Sequence, residues 1–114
     1  MKIYTGHNLG TGGGQEVTVK DVQFAEADRA VTKEYLLPLK PSLELYNHSP
    51  SGFQWGYGGS GPAQLSLAIL LDLTGNPKKA MSLHQEFKRH LIATAGPHLA
   101  VTEAEILAWL KGRY

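Results

Sequence analysis

Five glycines crowd residues 52–62, in the run Gly52-Phe53-Gln54-Trp55-Gly56-Tyr57-Gly58-Gly59-Ser60-Gly61-Pro62. Glycine loses more conformational freedom on folding than any other residue, so the run needs a reason: an unusual turn, or a backbone that something must approach closely. The next residues sharpen the constraint. Pro62 suits the first turn of a helix, where its missing N–H leaves no bond unmade, and Gly61 or Ser60 reads as the cap. Residues 63–73 continue in good helix formers. Leu65, Ala68, Ile69 and Asp72 share one stripe, and Leu67, Leu70 and Leu71 widen the apolar arc. This predicts a central, well-buried helix ended by Gly75.

Two more helices are predicted by the same logic. Asn76 caps and Pro77 opens a second, amphipathic through Ala80, Leu83, Phe87 and Leu91, running to about Ala95 before Gly96-Pro97 stops it. Thr102-Glu103-Ala104-Glu105 is a capping box for a third, with Ile106, Trp109 and Leu110 inward and Gly112 at its end. The first half has a different texture, rich in Gly, Thr, Val and Tyr. Residues 2–5 read as a strand and residues 6–14 as a loop around Thr11-Gly12-Gly13-Gly14. Residues 16–22 alternate as a strand, with Val17, Val19 and Asp21 on one face and Thr18, Lys20 and Val22 on the other. Residues 24–30 fit helix or strand. Residues 35–37 and 43–46 read as short strands held apart by Pro38 and Pro41. The predicted fold is α+β: a small, mostly antiparallel sheet from the N-terminal half, packed against three C-terminal helices in a single domain, residues 1–114.

Composition removes several classes of function. Eleven Lys and Arg stand against ten Asp and Glu, a net charge of +1, which gives no electrostatic footprint for nucleic acid or an anionic membrane. With no cysteine, disulfides, thiolate nucleophiles and Cys-ligated metals are excluded. The opening MKIYTGHNLG does not resemble a signal peptide, and the apolar stretch of residues 65–71 falls short of the roughly 20 residues of a bilayer span. A cytoplasmic protein is expected, and Asn47-His48-Ser49 is read as a chance sequon.

A glycine loop running into a helix start is a physical recipe for holding phosphate or carboxylate. The first N–H groups of a helix lack internal partners, and its N-terminus carries about half a positive charge. Named motifs fail on context. Gly56-x-Gly58-x-x-Gly61 fits the dinucleotide fingerprint, but a capped helix comes next where a second strand is needed. A phosphate-binding P-loop would need Lys and Ser or Thr where Pro62 and Ala63 stand. A nucleophile elbow at Ser60 would need Gly at Pro62. The alternative is a tight crossover from sheet to helix, with Trp55 and Tyr57 in the core.

Among His7, His48, His84, His90 and His98, no pair has the i, i+4 spacing of a helical metal site, and no metal or cofactor is expected. His84 and His90 read as solvated. His48, in a polar turn with Asn47 and Ser49 near the glycine run, is the histidine best placed to meet a ligand. Glu16, Asp21, Glu26, Asp28 and Asp72 make no paired-acid constellation. Lys78, Lys79, Lys88 and Arg89 read as a solvated face.

The stretch Asn47-His48-Ser49-Pro50-Ser51-Gly52-Phe53-Gln54-Trp55-Gly56-Tyr57-Gly58-Gly59-Ser60-Gly61-Pro62-Ala63-Gln64-Leu65 resembles the signature of a family of small uncharacterised proteins of bacteria and their phages, a domain of unknown function. The likeness extends to Tyr4-Thr5-Gly6, to Phe87-Lys88 and to residues 102–110. His7 departs from it, standing near where the family has a basic residue. The resemblance implies a phage or prophage setting and supplies no activity.

The expected function is therefore a non-enzymatic binding protein for a small anionic, nucleotide-like ligand, of a phage type that sequesters a host immune signalling molecule. Gly58, Gly59, Ser60 and Gly61 would hold phosphate, Trp55 or Tyr57 would stack on a base, and His48, Gln54 and Gln64 would supply polar contacts. The alternative is a protein-binding inhibitor or adaptor of host machinery. A small phosphoesterase or transferase using His48 and Ser60 ranks last. Homo-oligomerisation stays open.

Overall fold

A computed structural model describes residues 1–8, 14–25 and 28–113. The expected opening strand is β1 (Lys2–His7). It pairs antiparallel with β2 (Thr18–Ala25), which pairs antiparallel with β3 (Asp28–Leu36). The predicted α+β class is correct, but the sheet is not built from the N-terminal half alone. A fourth strand, β4 (His98–Thr102), returns from the far end of the chain to pair antiparallel with β1, giving the order β3-β2-β1-β4. Its alternation of Leu99 and Val101 with His98 and Ala100 is a period-2 signal five residues long, overshadowed by the helix-end signals on either side.

Within β2 the pairing shifts between Asp21 and Val22. Val22 is buried, yet it stands outside the core cluster that holds Val17 and Val19. Asp21 instead sits beside the Met1 amine at 3.1 Å, and that amine also donates to the Val22 carbonyl at 2.8 Å.

Where a second short strand is expected over residues 43–46, the chain forms a helix, α1 (Lys40–Leu45). Pro41 presets the φ of a first helical turn, the Ser42 hydroxyl donates to the Leu39 carbonyl, and the Tyr46 N–H returns to Ser42. The three expected C-terminal helices are α2 (Ser60–Thr74), α3 (Pro77–Phe87) and α4 (Glu103–Leu110). Cap chemistry places their ends. Gly75 takes the left-handed conformation after α2, the Asn76 side chain accepts from the Lys79 N–H at 3.1 Å, and Thr102 and Glu105 form the reciprocal capping box. Helix α2 starts earlier than expected, with Gly59 as its cap and Pro62 as its third residue. α3 does not run on to Ala95: a π-helical turn, Lys88–Ile92, comes after it, with the Ala93 N–H reaching back to Lys88.

One core joins the layers. Tyr4, Val19, Leu99 and Val101 of the sheet pack with Leu65, Ile69, Phe87 and Ile106 of the helices, all nearly or fully buried. Thr5 and His7 of β1, Thr18 and Lys20 of β2 and His98 and Ala100 of β4 stand on the opposite face of the sheet, none of them buried. The Thr11-Gly12-Gly13 part of the expected first loop lies outside the described residues. No described helix is long and apolar enough to cross a membrane.

Candidate functional site

The glycine run divides into a fastened half and an open half. Gly52, at φ +127°, lies against Gly14, and the adjacent Gln15 N–H donates to the Phe53 carbonyl at 2.9 Å. Gly56, at φ +88°, donates its N–H to the Ile92 carbonyl at the end of the π turn. Trp55 is 2% exposed and its indole N–H donates to the Pro97 carbonyl at 3.1 Å. Its ring is therefore core, whereas Tyr57 is 52% exposed.

Beyond Tyr57 the glycines have different reasons. A Cβ on Gly61 would stand 2.6 Å from the Gln54 side chain, so packing there requires a glycine, and one on Gly59 would stand 2.5 Å from the Tyr57 ring, which would have to move. A Cβ on Gly58 would meet nothing within 4 Å. Among the described residues, no acceptor is paired with the N–H groups of Gly58, Gly59, Ser60 or Gly61, and no side chain caps α2. The same chain caps α3 and α4 with its own side chains. Its longest helix is left with free donors and an exposed Ser60 beside them.

Gln64, one turn further along α2, is fully buried. Its Oε1 accepts from the His48 and Ser49 N–H groups at 2.7 and 3.0 Å, and its amide donates to Ser42 Oγ and to the Tyr46 carbonyl. Every polar atom it has is spent on the chain. Gln64 is thus a bracket that holds the Asn47-His48-Ser49 turn on α2, and the ligand contact expected of it is corrected accordingly.

His48 has a partner that sequence reading missed. Its Nε2 lies 2.9 Å from Nε2 of His84, which is 5% exposed rather than solvated as expected. The His84 Nδ1–H donates to the Met81 carbonyl at 2.8 Å, so its Nε2 offers a lone pair and the His48 Nε2–H donates to it. The Tyr46 ring stacks on His48 at 4.4 Å. Burial, then His84 and Lys88, hold the His48 pKa below the ordinary value. At His84 burial again lowers it, more than the backbone hydrogen bonds raise it, and Lys88 adds to the depression. Both shifts favour the neutral rings.

Asp72, read from spacing only as part of a helix stripe, anchors the sheet to α2. It accepts from Tyr4 at 2.7 Å, from Tyr35 at 2.8 Å and from Lys2 at 3.1 Å. Burial, then Asp72, pushes the Tyr4 hydroxyl far above its ordinary value. Nothing in local spacing announces a group gathered from three elements.

On the uncovered sheet face, His7 and His98 are directly paired across β1 and β4, their Nδ1 atoms 3.1 Å apart and their ring centres 4.2 Å apart. They line a cleft of about 640 Å3 with Thr5, Gln15, Glu16 and Thr18. A second cleft, about 440 Å3, opens next to it between Asn8, Trp55, Gly56 and Pro97. Among the described residues, no three His, Cys, Asp or Glu side chains gather into a metal-holding set.

The profile of a family of unknown function, DUF6166, matches residues 4–112, and the chain belongs to that family. No curated protein and no solved structure matches the chain.

Proposed function

We propose that this member of the family is a non-enzymatic binding protein for a small anionic, nucleotide-like ligand, seated at the start of α2. One observation carries the reading: the amides of Gly58, Gly59 and Ser60 are left without acceptors at the N-terminus of the longest helix, beside a glycine whose missing side chain no internal contact requires. Such amides, with the positive end of the helix behind them, suit a phosphate group. The Ser60 hydroxyl adds a donor, and the exposed Tyr57 ring adds a stacking face for a base. In a cytoplasmic phage or prophage setting, a protein of this kind would withdraw a host immune signalling nucleotide from its receptor.

Thermal denaturation against inorganic phosphate and a panel of linear and cyclic nucleotides tests it. A ligand at a hundredfold excess over its Kd adds about 2.7 kcal/mol of stability, a shift of several degrees. Gly58→Leu should leave the unliganded melting temperature in place, because the side chain would enter open space, and should abolish the shift. A panel in which nothing moves the melting temperature overturns the reading, and so does a shift that Gly58→Leu retains.

The half-exposed Tyr57 and Tyr46 favour a second reading, a protein-binding adaptor with aromatic anchors. A stoichiometric protein partner lost in Tyr57→Ala, with no nucleotide response, would support that one.

A further inference from the structure

We propose that His7 and His98 form a two-histidine site for one divalent transition-metal ion of the zinc type, at the mouth of the sheet-face cleft. Their Nδ1 atoms lie 3.1 Å apart, a separation that one shared hydrogen bond bridges in the ion-free protein. Two nitrogen lone pairs so close repel unless a proton or a cation lies between them. Zinc–imidazole bonds of about 2.0–2.1 Å at a tetrahedral angle set the two nitrogens roughly 3.3 Å apart, near the observed separation, and the rings, now centred 4.2 Å apart, must swing outward for both lone pairs to meet on one ion.

The surroundings agree. Both rings are exposed, and among the described residues their Nε2 atoms have no partner, so each can carry its hydrogen at Nε2 and offer Nδ1 to the ion without releasing a proton. Glu16 lines the same cleft and adds negative charge. Direct pairing on adjacent strands fixes the two backbones, so little ordering is left for the ion to impose. The other pair, His48 and His84, lacks these features: it lies near Lys88, and burial disfavours a cation there. Two protein donors leave the remaining coordination positions to water or to a donor group on a small molecule in the cleft.

Zinc chloride titrated into tag-free protein by calorimetry tests the site, with copper(II) as a second probe read by electron paramagnetic resonance. One ion per chain is expected, with hyperfine structure from two imidazole nitrogens. His7→Gln and His98→Gln should each weaken binding by at least about tenfold, ~1.4 kcal/mol, while His90→Gln should not. Both side chains are exposed, so circular dichroism of the ion-free variants should match the parent; should His98→Gln misfold, His7→Gln carries the test alone. The proposal is overturned if zinc does not bind, if binding survives both substitutions, or if it depends on one histidine only. None of these outcomes bears on the α2 site, whose test uses no metal.

Discussion

Gln64 shows how much one side chain can organise. It lies in an apolar helix, yet its four hydrogen bonds fix a turn sixteen residues upstream and tie that turn to α1. Gln64→Leu keeps the volume and strands two buried N–H donors. Unfolding in urea should show a loss of about 2–4 kcal/mol, since each orphaned buried group costs about 1–3 kcal/mol. The sequence pointed to the right neighbourhood here and to the wrong role. Spacing shows that Gln64 lies one helical turn beyond Ser60, but only the tertiary fold shows the Asn47-His48-Ser49 turn lying across it. Trp55 teaches the same lesson, because an aromatic beside glycines reads alike whether it faces solvent or core. Gly58 and Gly59 are likewise neighbours in sequence with different surroundings, open space for one and the Tyr57 ring for the other.

Elements were most legible where short-range chemistry defines them. The Asn76 cap, the Thr102–Glu105 box and the left-handed Gly75 are local geometries, and each stands where its residues predict. Thr102→Ala should cost about 1 kcal/mol in equilibrium unfolding. Its penalty should exceed that of Thr94→Ala, where the hydroxyl only donates back to the His90 carbonyl. Local signals could not supply long-range pairing. β4 is too short to declare itself, the register shift at Asp21–Val22 leaves no local mark, and α1 hides behind prolines that suggest interrupted strands. The candidate sites divide in the same way. The place where α2 starts could be anticipated to within a few residues from Gly and Pro placement, though not the lack of a side-chain cap, whereas His7 and His98 meet only because two distant strands do.

For the molecule as a whole, the paired His48 and His84 make stability depend on pH. Their pKa values are depressed in the folded chain, so around and below the ordinary value of 6.5 the unfolded chain binds more protons than the folded one. Stability from this pair is therefore complete above that value and drains away as pH falls below it toward the depressed folded values. The urea midpoint should fall between pH 7.5 and pH 5, and His84→Gln, which cannot charge, should shrink that difference. A pH response unchanged in His84→Gln would show that other groups govern it.

The pairing of β1 with β4 ties residues 3–7 to residues 98–102. A nascent polypeptide still missing residues 98–102 has β1 hydrogen-bonded along one flank only, and Tyr4 lacks its partner Val101. The β1–β4 ladder can therefore close only after that distant segment has left the ribosome. Until then the growing chain presents an unsatisfied strand edge that chaperones or self-association could capture.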